Sequence, residues 1–163
     1  MNPWLAVRPQ TERKMEYRYT ECGLDNVVIE GMDVMVDHAG DETSAIPNIN
    51  GLHRVIAQAI ITHEHGISGK ELRFLRTEMG LTQDEMGRLL HVTRLTISRW
   101  ERAEVPIDNQ AEFMIRLLAA EKLEIIPYMT VEEVSRRCVW SAKVQPIRID
   151  GSNPKNYHSL AAA

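Results

Sequence analysis

The chain has 163 residues, an apolar fraction of 44% and a formal net charge of −4. That length makes one domain of ordinary size or two small ones, and the apolar share supplies a real core, which excludes global disorder. No apolar run is long enough to span a bilayer, and MNPWLAVRPQ lacks the basic-then-apolar order of a signal peptide. Cys22 and Cys138 stand far apart, outside any C-x-x-C spacing, which argues against a disulfide framework or structural zinc and fits a cytoplasmic setting.

Residues 1–16, polar and proline-containing, read as a flexible arm. MEYRYTE alternates with Tyr17 and Tyr19 on one side, a short strand. NVVIEGMDVMVDH holds two β-branched runs around Glu30-Gly31, where glycine supplies positive φ without steric cost, so a hairpin turning there is expected. After a loop, GLHRVIAQAIITHE places Leu52, Val55, Ile56, Ala59 and Ile60 on one helical face. Residues 17–64 thus form a β-hairpin plus helix region, suited to dimerisation or partner binding.

Gly66 breaks that helix. Ser68 caps the next, with Glu71 at the capping-box position, Leu72, Leu75 and Met79 inward, and Gly80 at its end. Thr82 and Glu85 repeat the box ahead of an inward Met86, Leu89 and Leu90, and Thr93 caps a helix running to about Trp100. Residues 109–123 give a further helix, burying Phe113, Met114, Leu117 and Leu118. Pro127 interrupts, TVEEVSRRC makes a last short helix, and the tail contains a strand-like VQPIRI. The expected fold is mainly α, a helix-turn-helix bundle of about five helices preceded by a small β-hairpin-containing region. Residues 65–125 form the helix-turn-helix domain, and residues 126–163 a short helix and C-terminal tail.

Short helices with three- to four-residue connections match a helix-turn-helix unit. The DNA major groove admits one α-helix if a neighbour braces it, which demands a packed inner face and a polar outer one on the same short helix. At about 100° per residue, Ile97 and Trp100 lie together, with Leu95, Ser98 and Arg99 roughly opposite. A helical hairpin with solvated arginines explains that periodicity equally well. It does not explain the shortness of the braced helix or the capping threonine on both helices, whose free N-termini suit phosphates. Charge is uneven as well: residues 68–103 hold seven basic against five acidic side chains, while residues 21–64 hold eight acidic ones against Arg54 alone. Either two surfaces meet different partners, or the acidic one serves solubility.

GLTQDEMGRLLHVTRLTISRWERAE resembles the helix-turn-helix of the XRE (Cro/repressor-like) regulators over roughly residues 69–120, through Thr82-Gln83, the small Gly87, Val92-Thr93 and the ISRWE close. YRYTECGLDNVVIEGM and INGLHRVIAQAI look like segments preceding this unit in a branch of MqsA-type antitoxins and their stand-alone relatives. The resemblance implies that Gln83 sits against the DNA backbone and neighbouring bases. It places Thr93, Arg94, Leu95, Thr96, Ser98 and Arg99 at exposed recognition positions.

Arg99 is the candidate for a bidentate guanine contact, worth about 1–3 kcal/mol of discrimination; a salt bridge or a phosphate contact is its plainer alternative. Leu95 departs from the family's frequent glutamine and suits a thymine methyl instead of adenine. Thr93 and Thr96 suit phosphates, as do Arg88, Lys70 and Arg73, unless these cations are merely solvated. His91 stands where the family usually has glycine, so the turn must accept histidine at positive φ or differ in shape. The zinc-binding cysteine pairs of MqsA-type N-terminal domains are missing, so the region of residues 17–37 would rest on apolar packing.

His63 and His65, two apart at a helix end, are expected to point to different faces, and no nucleophile motif, phosphate loop or paired catalytic carboxylates stands out. No metal, cofactor or enzymatic activity is therefore expected. The expected function is that of a sequence-specific DNA-binding regulator, a repressor or autoregulator, binding double-stranded DNA at an inverted-repeat operator as a homodimer. The alternative is an antitoxin of a toxin–antitoxin pair, whose acidic region docks on a basic cognate toxin while residues 68–103 hold the operator.

Overall fold

Each helix starts where a short polar side chain accepts a hydrogen bond from an otherwise unpaired backbone amide. The computed structural model describes residues 15–32, 35–36, 42–43, 46–125, 129–138 and 144–160; the proposed arm up to residue 14 and the break at Pro127 lie outside them. Among the described residues the helices are α1 (Ile49–Thr62), α2 (Gly69–Glu78), α3 (Gln83–Leu90), α4 (Arg94–Glu101), α5 (Asn109–Lys122) and α6 (Val131–Arg137). Their caps are Asn48, Ser68, Thr82, Thr93, Asp108 and Thr130, and the capping box closes at α2, α3 and α6. Among the described residues no helix is long and apolar enough to cross a membrane.

The strands are β1 (Met15–Arg18), β2 (Val27–Met32), β3 (Met35–Val36), β4 (Glu42–Thr43), β5 (Ile147–Asp150) and β6 (His158–Ser159). The expected turn at Glu30-Gly31 is absent. Gly31 has φ +76° but stays inside β2, where the register against β1 passes from Met15↔Met32 to Tyr17↔Ile29. Three steps along β2 thus face two along β1, so the positive φ serves a bulge and not a turn. The hairpin is instead β1–β2, closed by residues 19–26, with Tyr19 N–H donating to Val27 O at 3.0 Å.

The tail strand joins the same sheet. The strand order is β1-β2-β5-β6, with β2 and β5 parallel and Ile29 beside Ile149. Alternation on β5 buries Ile147 and Ile149. Against them pack Leu52, Ile56 and Ile60 of α1, and the same buried cluster runs on through Leu72, Leu75, Met86, Ile97, Trp100 and Ile115. One core therefore serves the sheet and the helices alike. A polar chain ties them further: Tyr19 Oη lies 2.8 Å from His53 Nε2, whose Nδ1 lies 2.8 Å from Glu78 Oε1. Burial first, then the nearby Cys22 and Glu21, push the Tyr19 hydroxyl up to about 12, so it remains protonated at neutral pH.

Two helix faces differ from expectation. Leu89 is exposed; the tight spot on α3 is Gly87, where an added Cβ would stand 2.7 Å from Val92 O. On α5 the buried face is Glu112, Ile115, Arg116 and Ala119, whereas Met114 is exposed and Phe113, Leu117 and Leu118 are half-buried. Arg116 satisfies carbonyls at the end of α1, donating to Ile61 O at 2.7 Å and His63 O at 2.9 Å, while Glu112 Oε1 at 2.8 Å balances its charge. A charged pair so well supplied with partners displaces the apolar stripe that periodicity alone selects.

The start of α2 abuts the end of α4. A Cβ on Gly69 would meet Trp100 O at 2.3 Å and Glu101 O at 2.6 Å, both backbone atoms that cannot rotate away. Gly69→Ala is expected to destabilise the chain by about 1–3 kcal/mol through overpacking, read as a lower midpoint in urea denaturation. An unchanged midpoint would contradict this close approach.

Candidate nucleic-acid interface

Between α3 and α4 the chain reverses at His91, Val92 and Thr93. His91 adopts φ 56° and ψ 36°, the left-handed conformation that glycine adopts most easily, so histidine is accommodated without changing the turn. Val92 N–H donates to Gly87 O at 2.9 Å, and the turn brings Val92 O to 2.7 Å from where a Cβ at position 87 would stand, which explains the small residue there. Thr93 then caps α4, its hydroxyl accepting from Thr96 N–H at 3.2 Å and lying 3.0 Å from the Thr96 hydroxyl. The hydroxyls of these two expected phosphate contacts are thereby held together at the helix start.

The two sides of α4 separate cleanly. Ile97 and Trp100 are buried, at 0% and 4% exposure, while Leu95 is 54% exposed. Arg94 and Arg99 are exposed as well, and Thr96 and Ser98 half-buried. An exposed leucine flanked by arginines and hydroxyls has the chemistry for a groove that offers methyl groups beside acceptors. Among the described residues Arg99 has one ionic neighbour, Glu104 Oε2 at 3.9 Å, whereas Glu104 Oε1 holds Arg102 at 2.8 Å. The guanidinium of Arg99 is thus weakly engaged and open to an external acceptor. On α3, Arg88 is exposed and paired with Asp84 one turn earlier, an interaction DNA phosphates can replace.

The most restrained residue in the region escaped the sequence. Glu101, 6% exposed by its side chain, accepts from Arg76 Nε and from Gln83 Nε2 at 2.8 Å, and Arg76 also donates to Leu81 O at 2.8 Å. One carboxylate so ties α2, the start of α3 and the end of α4. Gln83, expected at the DNA backbone, spends an amide hydrogen on this bond, and among the described residues its side-chain carbonyl has no donor. The sequence signal for the network is the pair of opposite charges at positions 76 and 101, in helices separated by α3. At the head of α3, the Thr82 amide and hydroxyl lower the Glu85 carboxyl below its usual range, keeping the capping box charged.

Glu101→Ala would leave a nearly buried guanidinium without its acceptor and is expected to cost about 3 kcal/mol in urea denaturation. Arg88→Ala breaks an exposed pair and should leave the midpoint almost unmoved. Similar midpoints for the two variants would contradict the assignment of Glu101 as the tie between the helices.

Residues 69–124, which run from the start of α2 past the end of α5, match the family described as helix-turn-helix domain. No curated protein and no solved structure matches the chain. The matched segment is a helix-turn-helix domain, which suggests DNA binding.

Proposed function

We propose that this chain is a sequence-specific transcriptional regulator of the XRE type that binds an inverted-repeat operator as a homodimer and represses its own or a neighbouring promoter. The observation that carries the reading is the two-sidedness of α4: Ile97 and Trp100 packed, Leu95 and Arg99 presented. Gln83, Thr93, Arg94, Thr96 and Ser98 frame that edge, and Arg88 serves the phosphates. The chain acts by binding and not by catalysis, in the cytoplasm, on nucleoid DNA. One recognition helix reads too few base pairs to find a site in a genome, so two copies are required, with half-site centres about 34–36 Å apart or a multiple of that spacing.

The antitoxin reading draws less support. Its argument was the acidic charge of residues 21–64, yet Asp25 pairs with Lys70, Glu30 with Arg148, Glu64 with Arg137, and Glu21 accepts from Tyr17. Asp25, Glu30 and Glu64 are thereby offset within the chain, whereas the Tyr17 hydroxyl leaves the charge of Glu21 in place and Asp33, Asp37 and Asp41 lie outside the described residues.

Competition binding at several salt concentrations tests the proposal. Arg99→Ala is expected to relax preference at one base pair per half-site, with a loss of about 1–3 kcal/mol on the operator and little on random duplex. Arg88→Ala should weaken all sequences alike and lower the salt slope. Equal losses on operator and random DNA for Arg99→Ala would reassign that side chain to phosphate contact. A protein that remains monomeric at operator saturation would exclude the dimer.

A further inference from the structure

Away from the helix-turn-helix face, three metal-ligating side chains meet where α1 hands over to α2. The helix ends at Thr62, so His63 is extended at φ −67° and ψ 157°, and His63 and His65 do not diverge as two residues on a helix would. Their rings stack at a centroid separation of 3.5 Å and an interplanar angle of 15°. Glu71, fully buried in the first turn of α2, faces them with Oε2 at 3.5 Å from His63 Nε2. One ligand atom from each of the three lies within 4.8 Å of the others. Among the described residues, His63 Nε2 is the buried side-chain nitrogen that has no hydrogen-bond partner.

We infer that His63, His65 and Glu71 are the ligands of a divalent transition-metal ion of the zinc class. Two ligand atoms on a tetrahedral ion with bonds of about 2.0–2.2 Å stand about 3.3–3.5 Å apart, the spacing already present between His63 Nε2 and Glu71 Oε2. The same gap is too wide for a good hydrogen bond, which closes to about 2.7–3.2 Å. Among the described residues the Glu71 carboxylate accepts hydrogen bonds from neutral donors, Ser68 N–H at 2.9 Å on Oε2 and Asn26 Nδ2 at 3.2 Å on Oε1. Among the described residues no lysine or arginine pairs with it. A buried carboxylate left without a fixed cation, beside two imidazoles, is a donor set that a metal ion completes.

The surroundings hold the backbone of both histidines, and their near-parallel rings turn apart when both lone pairs converge on one ion. His65 Nδ1 lies 3.2 Å from Gly66 O, and donation there leaves the other ring nitrogen as a free lone pair. Arg116 is the positioning residue: it donates to His63 O at 2.9 Å and His65 O at 2.7 Å, holding the backbone of both histidines. Its Nη2 also stands 3.3 Å from His63 Nδ1. A guanidinium only donates, so in the metal-free chain His63 Nδ1 accepts there; ligation through Nε2 shifts the ring proton to Nδ1 and gives up this 3.3 Å contact, while Nη2 keeps His65 O at 2.7 Å and Glu112 Oε1 at 2.8 Å. His63 and His65 also line a cleft of about 570 Å³, bordered by Arg137, Ile147 and Arg148, which leaves a fourth coordination position to water. Two histidines, one carboxylate and an open position suit Zn²⁺, and bound there it would staple the end of α1 to the start of α2.

The test uses the full chain without a polyhistidine tag, stripped with a chelator and titrated with Zn²⁺ by calorimetry and with Co²⁺ by visible absorption. One ion per chain is expected, with the intense bands of four-coordinate Co²⁺ and an upward shift of the thermal midpoint. His63→Ala and His65→Ala should abolish the tight event, while His158→Ala, at an exposed site on β6, should retain it. If an alanine variant fails to fold by circular dichroism, the wild-type imidazole ¹⁵N resonances decide. Those of His63 and His65 should move on adding Zn²⁺, and that of His158 should not. Absence of stoichiometric uptake, unchanged affinity in folded His63→Ala and His65→Ala, or resonances of His63 and His65 that stay in place would each overturn the assignment. DNA binding enters none of these readouts.

Discussion

The arrangement of the DNA-binding unit depends on the carboxylate of Glu101. It sits at the end of α4, almost out of solvent, and receives Arg76 from α2 and Gln83 from the head of α3. A buried ion pair adds little net stability, because desolvation offsets most of the attraction, but removing one partner is expensive. Such a contact sets geometry more than it sets free energy. Here it fixes how α3 and α4 lie against α2, with Gly69 giving α2 the room to touch the carbonyls of Trp100 and Glu101. Once that corner is set, burial of Ile97 and Trp100 fixes the rotation of α4. The Leu95 and Arg99 edge has only one direction left to face. The same carboxylate orients the Gln83 side chain at the head of α3.

What could be read in the sequence was local. Ser68, Thr82 and Thr93 announce helix starts because a cap and its amide lie within three residues, and the structure makes those bonds. The inward Ile97 and Trp100 and the outward Leu95 follow from periodicity on one short helix. The left-handed His91 was framed as a requirement and met as one. Non-local pairings were not legible. The parallel partnership of β2 with β5 joins Val27 to Ile147 across most of the chain, and nothing in either segment names the other. Gly31 was misread because positive φ serves bulges as well as turns. The α5 face was misassigned because Arg116 finds carbonyl partners that only the end of α1 supplies. Glu112 and Arg116 stand four residues apart, and that spacing was the overlooked signal.

The sheet changes how the helix-turn-helix is carried. Strands from both ends of the chain pack on α1, and the buried side chains continue without a break into α2, α3, α4 and α5. A disturbance at the end of α1 therefore reaches α2 directly, through the His63–Gly66 segment and through Glu71 in the first turn of that helix. The uneven charge seen along the sequence also takes on a structural meaning. Several acidic residues of the first third answer specific cations elsewhere, Asp25 to Lys70 and Glu30 to Arg148, so part of that charge holds the sheet to its neighbours.

The central claim is that α4 reads DNA with the edge that carries Leu95 and Arg99. Sequencing the duplexes that the purified chain retains from a random pool tests it most directly. The account predicts enrichment of an inverted repeat whose half-sites centre about one helical turn apart, or a multiple of it. A retained pool with no more shared sequence than the input would contradict it.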